Sequence, residues 1–455
     1  MEKILQSLEA SGLTITQKIE NLINEDLGKR EATFNVTKEH FFIRDYKVIN
    51  VPTRASRALD YLPKKALKQI HEDIDLAKEL CLVFLSFLSD TYYTSTFATN
   101  AAKRDGWKQL NSSILQDALM IKGDDSLYKK VIDVLEVGTT KGPIIDVDKS
   151  YLEGEYSRSY KLADKYLNRG VNSYTLQHKS VKTSRERSYY RMLSNAIGGK
   201  ISSNMIHVYA KLEKPTLEQV KEEAKRLVAE GYRTNKGRKL VFENKRSKQY
   251  HKERNNAVVE DHIEMFQYLT SNGYMIPVES DKAGGRVADS LTLMPGWIRN
   301  LFKIDGKPLM DPDFVCLHPN LTMTIYGGKT EYITHDKVAD TLGVDRQVAK
   351  VEHLSFFNKS WDQMMKSPLF DYYISTEANV MQKLFEEKRD GIMTHNKLFR
   401  MESTLMANVI ERLNEMDIYV VYVYDALKCH PDHHSIVVDI MNEEAIKMNV
   451  KTVAK

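Results

Sequence analysis

The sequence predicts a mainly helical α+β protein of two or three domains. Its 455 residues exceed the usual ~150 residues of one domain. Hydrophobic residues make up 42% and charged residues 28% of the chain, which is typical of a packed globular protein and excludes a collagen-like or disordered one. Apolar residues follow a helical spacing over most of the chain, and short β-like runs alternate with helices after residue 284.

Charge and cysteine content limit the partners and the location. Lys and Arg number 66 against 62 Asp and Glu, so the net charge of +4 does not by itself indicate a nucleic-acid partner. Cys81, Cys316 and Cys429 are too few and too scattered for a disulfide framework. The longest apolar run, residues 80–88, is far shorter than the ~20 residues of a membrane span. We therefore expect a cytoplasmic protein with no membrane segment and no signal peptide.

The first two regions are both predicted to be helical. Apolar residues recur at helical spacing in residues 1–150, as they do from Leu67 to Leu80. Residues 138–150 are rich in Gly, Pro and turn formers and are the best candidate boundary. In residues 151–283, tyrosines are interleaved among Lys and Arg, a composition that suits contacts with bases and phosphates.

A local excess of positive charge lies in the second region. Residues 233–254 carry nine Lys and Arg against two Glu. We predict that this segment contacts nucleic acid, with Arg238, Lys239, Lys245 and Arg246 as the candidate side chains. A charged run is about as often only a solvated surface, and that alternative stays open.

Two acidic residues are predicted at strand ends in residues 284–455. The run from Asp417 to Tyr424 is β-branched and aromatic, which predicts a buried strand that stops at Asp425. A second strand and a helix are expected after this Asp turn. Asp313 also lies where an extended run passes into a predicted helix. The two carboxylates become chemically interesting if one sheet brings them together.

A cationic helix is predicted between the two acids, over residues 336–361. Its spacing assigns side chains to two faces: Val344, Val348 and Val351 on one, and Arg346, Lys350, His353 and Phe357 on the other. A face with cations and an aromatic ring can hold a triphosphate and stack a base. An amphipathic helix with solvated charges is the alternative.

These segments resemble the palm and fingers motifs of the superfamily that joins family A DNA polymerases to single-subunit phage-type RNA polymerases. The first motif appears as LMDPDFVCLHPNLTMTIYGG, with Asp313 at the metal-ligand position, and looks most like the variant of short phage-encoded polymerases. The second motif, R-x-x-x-K, keeps Arg346 and Lys350 but has Asn358 where classical members have Tyr.

The third motif appears as VYVYDALKCHPDH, with Tyr424 in place of the usual His and Asp425 as the implied metal ligand. Upstream of the first motif, Gly285-Arg286 stands where the superfamily keeps a Gly-Arg that touches the template and the primer or nascent strand. Arg299 also lies upstream of the first motif and is predicted to contact nucleic acid. Glu402 and Ser403 are expected to open a helix just before the third motif, as in the short phage variants. The resemblance covers about residues 284–455.

The resemblance implies a right-hand polymerase with an antiparallel palm sheet, helical fingers, a basic thumb-like or template-binding region over residues 151–283 and a helical N-terminal region. It also implies catalysis by two Mg²⁺ ions, held by Asp313, Asp425 and the backbone carbonyl of Phe314. Arg346 and Lys350 would bind the triphosphate, and Lys350 would act as general acid toward pyrophosphate.

The sugar contacts favour ribonucleotides. The DNA polymerases of the superfamily carry a Glu five residues after the first Asp, which helps to block a 2′-hydroxyl, and His318 stands there in this chain. His318 and Asn358 are predicted to contact the sugar, and Phe357 and Tyr424 complete the nucleotide site. We therefore expect a DNA-directed RNA polymerase that uses a DNA template and NTPs, makes an RNA product and acts in a phage-infected bacterium.

Several alternatives stay open. The chain can be a DNA polymerase or primase, or an inactive nucleic-acid-binding protein on a polymerase fold. Some short phage enzymes of this kind act with a companion protein, so a partner subunit is a further expectation. A zinc site is a weaker alternative, built from the crowded ligands Cys429, His430, Asp432, His433 and His434.

Overall fold

The computed structural model describes residues 43–89, 106–119, 127–152, 157–167, 170–235, 237–243, 256–330, 332–392 and 394–455. In these ranges the chain is mainly helical, with small antiparallel sheets, as the sequence predicts. Every helix in the same ranges is too short or too polar to cross a lipid bilayer.

The N-terminal half of the described chain alternates short strands and helices. In chain order its elements are β1 (Val48–Pro52), α1 (Thr53–Ala58), α2 (Lys64–Ile70), α3 (Ile74–Ser86), β2 (Lys108–Gln109), α4 (Ser112–Leu119), α5 (Leu127–Val137), β3 (Ile145–Asp148), β4 (Ser159–Leu162), β5 (Val171–Thr175), α6 (Lys179–Gly198), α7 (Lys200–Tyr209) and α8 (Leu217–Ala229).

The C-terminal half begins with short strands and becomes mostly helical. Its elements are β6 (Lys239–Val241), β7 (Asn256–Val258), α9 (Val259–Thr270), β8 (Val278–Ser280), β9 (Arg286–Ala288), α10 (Gly296–Arg299), β10 (Lys303–Ile304), β11 (Lys307–Pro308), α11 (Leu317–Tyr326), α12 (His335–Leu342), α13 (Arg346–His353), α14 (Trp361–Met364), α15 (Leu369–Thr376), α16 (Ala378–Arg389), α17 (Thr394–Glu415), β12 (Val421–Val423), β13 (Ala426–Lys428) and α18 (His434–Lys447).

The chain divides into two compact units. The first comprises Met1–Ser194 and Val241–Met275, and the second comprises Asn195–Leu240 and Ile276–Lys455. Both units are discontinuous in sequence. The limits expected near residues 150 and 283 differ from this division.

The second unit includes residues 195–240 because helix α7 packs into its core. The Asn204 side chain donates to the Val420 carbonyl at 2.7 Å and accepts from the Val420 N–H at 3.1 Å. The Tyr209 hydroxyl donates to the buried Asp289 carboxylate. Since these partners are 80 and 216 residues apart in sequence, local patterns cannot reveal the grouping.

The first unit has a helical core beside small sheets. Leu67 and Leu80 are buried there, in agreement with the helical spacing that predicts α2 and α3. The prediction that residues 151–283 are helical throughout is wrong, because β4 and β5 lie in that range. Strand β4 alternates partly buried and buried residues, and Tyr160 packs edge-on against Phe84.

Two of the tyrosines that are interleaved among Lys and Arg are core residues. The rings of Tyr189 and Tyr190 are buried and pack against the ring of Tyr46. The ring centroids are separated by 5.7 Å for Tyr189 and 6.2 Å for Tyr190. Their burial leaves no ring face for a base. By contrast, Tyr151 is exposed, with the Arg158 guanidinium 5.4 Å from its ring centroid.

Candidate active site

Asp425 lies at the tip of the β12–β13 hairpin. The strands pair antiparallel, with Val423 facing Ala426, so Tyr424 and Asp425 alone form the turn. Tyr424 adopts φ +60°, and a positive φ at the first turn residue is common to the two favoured types of two-residue hairpin, I′ and II′. Helix α18 follows the second strand. The predicted order of strand, Asp turn, strand and helix is confirmed.

The chain segment that carries Asp313 runs along the other edge of β13. The Leu427 N–H donates to the Pro312 carbonyl at 2.9 Å, and Asp313 forms an antiparallel bridge with Ala426. Residues that face each other in such a pair have Cα atoms about 4.5–5.5 Å apart. Asp313 therefore lies beside the residue that follows Asp425, and one sheet brings the two acids together. The C-terminal segment extends this sheet, since the Asp313 N–H donates to the Lys455 carbonyl at 3.2 Å.

Both carboxyl groups are costly to ionise. Burial raises the pKa of Asp313 above its usual value, and the charges of Asp425 and Asp311 raise it further, while Lys350 lowers it. Burial also raises the pKa of Asp425, followed by the charge of Glu402, whereas His318 opposes the rise. The Asp313 side chain nevertheless stays accessible to solvent. An accessible pair of crowded carboxylates is a site that a divalent cation stabilises.

Asp311 has a partner of its own. Its carboxylate lies 2.8 Å from the amine of Lys428, a buried lysine on β13. Burial lowers the pKa of Lys428, and the carboxylates of Asp311 and Asp313 oppose that change. Lys428 is a site residue that the sequence analysis missed, because a lone Lys in a strand gives no local signal.

The cationic helix is shorter than predicted. Residues 336–361 form α12, α13 and a 3₁₀ turn over Phe356–Asn358, with a break at Gly343, whose φ is +64°. Val348 is 44% exposed while Ala349 and His353 are buried, so the predicted apolar face is wrong.

Phe357 does not continue the cationic face. It lies in the 3₁₀ turn, is 2% exposed, and packs against Phe356 and Tyr373 with centroid separations of 5.0 Å in both cases. The prediction that Phe357 stacks a base is therefore wrong, because its ring is buried in the core. Asn358 follows it, and its buried Oδ1 has no hydrogen-bond partner within the described ranges.

Lys350 is one of the cations that act on the acidic pair. Its charge lowers the pKa of Asp313, which burial and the charges of Asp425 and Asp311 raise. Arg346 lies one turn earlier and pairs with Asp336 at 2.9 Å in an exposed ion pair. Exposed ion pairs contribute little stability, so Arg346 can exchange this partner for another anion.

A second cluster lies beside Asp425 and joins three elements. The buried carboxylate of Glu402 on α17 accepts two hydrogen bonds from one edge of the Arg286 guanidinium, from Nε to Oε1 at 2.7 Å and from Nη2 to Oε2. His318 Nε2 on α11 lies 2.5 Å from Glu402 Oε2 and 3.0 Å from Arg286 Nη2. Burial opposes ionisation of Glu402, but contacts with His318 and Arg286 outweigh it and lower the pKa of Glu402.

Arg286 is held on its faces as well as its edge. Its guanidinium carbon lies 3.6 Å from the Phe399 ring centroid and 5.0 Å from the Tyr424 ring centroid. Glu402 is in the middle of α17, which begins at Thr394, so the prediction that Glu402 and Ser403 open a helix is wrong. Mid-helix placement lets Glu402 point into the core beneath the hairpin.

Arg299 interacts electrostatically with Tyr424 and donates hydrogen bonds to the backbone of a loop. Its Nη1 donates to the carbonyls of Leu291 at 2.7 Å and Met294 at 3.3 Å. Burial lowers the pKa of Arg299, and the charges of Asp311 and Asp289 oppose that change. Arg299 is therefore close to the site, but it is committed to backbone groups.

The basic segment is described only in part. Arg238 and Lys239 lie on a small hairpin in which Arg233 and Lys239 form an antiparallel bridge. Lys239 is exposed, and Arg238 is partly buried. Lys245 and Arg246 lie outside the described residues. Tyr232 at the base of this hairpin interacts electrostatically with Arg299, so the hairpin begins near the site.

No protein-family model matches the chain, and no curated protein matches it.

Proposed function

We propose that the chain is a template-directed nucleotidyltransferase, namely a DNA-directed RNA polymerase of the single-subunit phage type. The observation that carries this proposal is the pairing of the Asp313 segment with β13, which brings the exposed Asp313 and the partly buried Asp425 close together in one sheet. In this proposal the sheet is the palm, and helices α12 and α13 belong to the fingers.

The donor set fits Mg²⁺. Asp313 and Asp425 provide hard oxygen ligands, and their raised pKa values show that their charges need compensation. The backbone carbonyl of Phe314, next to Asp313, is the proposed third protein ligand. When bound, two Mg²⁺ ions supply activation of the attacking 3′-hydroxyl and neutralisation of the leaving pyrophosphate.

The cationic helix fits the triphosphate. Lys350 lies near Asp313, and Arg346 extends the positive charge by one helical turn. A guanidinium binds phosphate oxygens in pairs, and an amine can donate a proton to the departing pyrophosphate. We therefore assign triphosphate binding to both residues and proton donation to Lys350.

Nucleic-acid contacts are assigned to two regions. Arg286 lies under the hairpin tip, where Glu402 and the aromatic rings hold its orientation. Arg238 and Lys239 form a cationic hairpin that begins near Arg299. A DNA template, an RNA product, a companion subunit and a phage-infected bacterial host all belong to the same proposal.

The test is extension of a labelled primer on a DNA template, together with unprimed synthesis on single-stranded DNA, in Mg²⁺ with either NTPs or dNTPs. The proposal predicts NTP incorporation that Asp425→Asn abolishes and Asp439→Asn leaves intact, since Asp439 is an exposed residue of α18. DNA binding without incorporation of either substrate would favour the inactive binding protein, unless an added companion subunit restores synthesis.

One observation favours a DNA polymerase or primase as the second candidate. The position that carries a blocking Glu in the DNA polymerases is His318, but the carboxylate of Glu402 lies 2.5 Å from its ring. The ring is thus fixed, and it can fill the space beside a sugar C2′. Preferential use of dNTPs in the same assay, relaxed in His318→Ala, would select this candidate.

A further inference from the structure

Three metal-binding side chains meet next to the cationic helix. Cys316 precedes α11, His335 begins α12 and His353 ends α13. Their ligand atoms all lie within 4.8 Å of one another. Among the described residues, these three form a group of His and Cys side chains close enough to hold one metal ion. The crowded ligands Cys429 and His430 to His434, considered from the sequence, do not form such a group there.

The side chains point at one another. His335 Nδ1 lies 2.9 Å from His353 Nδ1, and the Cys316 sulfur lies within 4.8 Å of a ring nitrogen of each histidine. Cys316 and His353 are buried, while His335 is only partly buried. Water can therefore reach the cluster on the His335 side.

The chemistry of the donors selects the metal. One thiolate and two imidazoles suit Zn²⁺, whose bonds of about 2.0–2.1 Å to nitrogen put tetrahedral ligand nitrogens about 3.3 Å apart. The two histidine nitrogens need to separate by only a few tenths of an ångström from their present distance. Hard Mg²⁺ prefers oxygen ligands and does not compete for this set.

We propose that Cys316, His335 and His353 bind one Zn²⁺ ion, with a water molecule as the fourth ligand. Binding displaces the thiol proton to solvent, and both histidines bind through Nδ1. His353 then donates its Nε2 proton to the Tyr373 hydroxyl, which lies 2.7 Å away and is buried. Such a partner fixes the ring orientation of a ligating histidine.

A Zn²⁺ ion bound by these three residues links two parts of the candidate active site. Cys316 is three residues after Asp313, and His353 is three residues after Lys350. A bound ion therefore ties the strand end that carries one acid to the helix that carries the cations. It holds these parts together without being a part of the acidic pair.

The experiment uses the full chain, prepared free of metal and titrated with Co²⁺. We expect one equivalent to give the visible bands of a tetrahedral site and a sulfur-to-cobalt charge-transfer band in the near ultraviolet. Zn²⁺ should displace Co²⁺ and remove these bands, whereas Mg²⁺ should not. A wild-type protein that shows no charge-transfer band overturns the proposal, because the histidine pair is then only a hydrogen-bonded contact.

Variants separate this cluster from other thiols. Cys316→Ala should remove the charge-transfer band, and Cys81→Ala, at another buried cysteine, should keep it. The opposite pattern overturns the proposal. If Cys316→Ala does not fold, Tyr373→Phe replaces it and should weaken Co²⁺ binding by about 10–100-fold with the band retained. Unchanged affinity in that variant also counts against the proposal.

Discussion

Glu402 is a buried carboxylate whose two partners lie on different elements. Arg286 forms a two-point contact with it, and His318 shares one of its oxygens. A buried ion pair contributes little relative to a hydrophobic replacement of the same shape, but removal of one partner leaves an uncompensated charge. All three residues hold motif positions in the sequence, yet the contact among them was not predictable, because Arg286 and Glu402 are 116 residues apart.

We predict that Glu402→Ala lowers the free energy of unfolding by about 3–5 kcal/mol, because Arg286 stays buried without its counter-charge. The matched control is Glu411→Ala on the same helix, whose exposed ion pair with Lys200 should contribute within about 0.5 kcal/mol. Urea unfolding of both variants measures the difference. Equal losses for the two would show that Arg286 does not depend on Glu402.

Asp313 illustrates a site residue that opposes stability. Its folded-state pKa is raised above the unfolded value, so the native state binds the proton more tightly than the unfolded state does. The stabilisation from that proton is complete below the unfolded pKa and is lost as the pH rises through the folded pKa. At pH 8, close to this folded-state pKa of about 8, and without metal, ionisation of the carboxyl group therefore weakens the fold.

We predict that Asp313→Asn raises the Tm by about 2 °C at pH 8 in EDTA and has almost no effect at pH 4, where the native carboxyl is already neutral. Thermal unfolding at the two pH values, with Asp439→Asn as the exposed control, checks this. A variant that is less stable than the wild type at pH 8 would contradict the assigned repulsion.

At the scale of elements, Gly284 lets the segment before Arg286 pack closely against α17. Gly284 adopts φ +66°, and a Cβ atom there would lie 2.5 Å from the backbone nitrogen of Arg400. The Ser403 hydroxyl also donates to the Gly284 carbonyl. Backbone atoms on both sides of this contact cannot move aside as a flexible side chain can.

We predict that Gly284→Ala costs about 2–3 kcal/mol of folding free energy, from left-handed strain plus overpacking. Gly343→Ala is the matched control, because Gly343 has a similar φ of +64° but open space at its Cβ position. It should cost about 1 kcal/mol. Denaturant unfolding measures the free energy of unfolding of both variants, and the difference between their losses is the steric contribution at Gly284. Equal losses would contradict the predicted overpacking.

Local patterns predicted some elements and not others. The hairpin at Asp425 and helix α11 were predictable, because a β-branched run and an i, i+4 repeat each lie within one element. The break between α12 and α13 was missed, although Gly343 and the N-capping Asp345 mark it. The cluster of Cys316, His335 and His353 was missed because its members come from three elements.

At the scale of the whole molecule, the resemblance predicted a catalytic region that starts at residue 284. The second compact unit, which contains that region, also includes residues 195–240. Asn204 and Tyr209 fill buried positions against Val420 and Asp289. Contacts over such separations leave no trace in periodicity or composition. Sequence reasoning therefore identified the two acids and their sheet, but not the full unit that supports them.

We predict that a fragment of residues 284–455 unfolds without cooperativity, because it lacks helix α7 and leaves Asp289 without the Tyr209 hydroxyl. A fragment of residues 195–455 keeps these contacts and should unfold in a cooperative transition. Circular dichroism during urea unfolding compares the two. Cooperative unfolding of the shorter fragment would mean that α7 is dispensable.

The central claim is that Asp313 and Asp425 act as one unit in nucleotidyl transfer. Its most direct test is single-turnover addition of one NTP to a primer on a DNA template, in Mg²⁺, for Asp313→Asn, Asp425→Asn, the double variant and the Asp439→Asn control. We predict that each single change lowers the rate by at least about 10³-fold and that the double variant loses little more, since residues that act as a unit are not additive. A single variant that keeps a rate within about 10-fold of the wild type, or losses that multiply in the double variant, would contradict the claim.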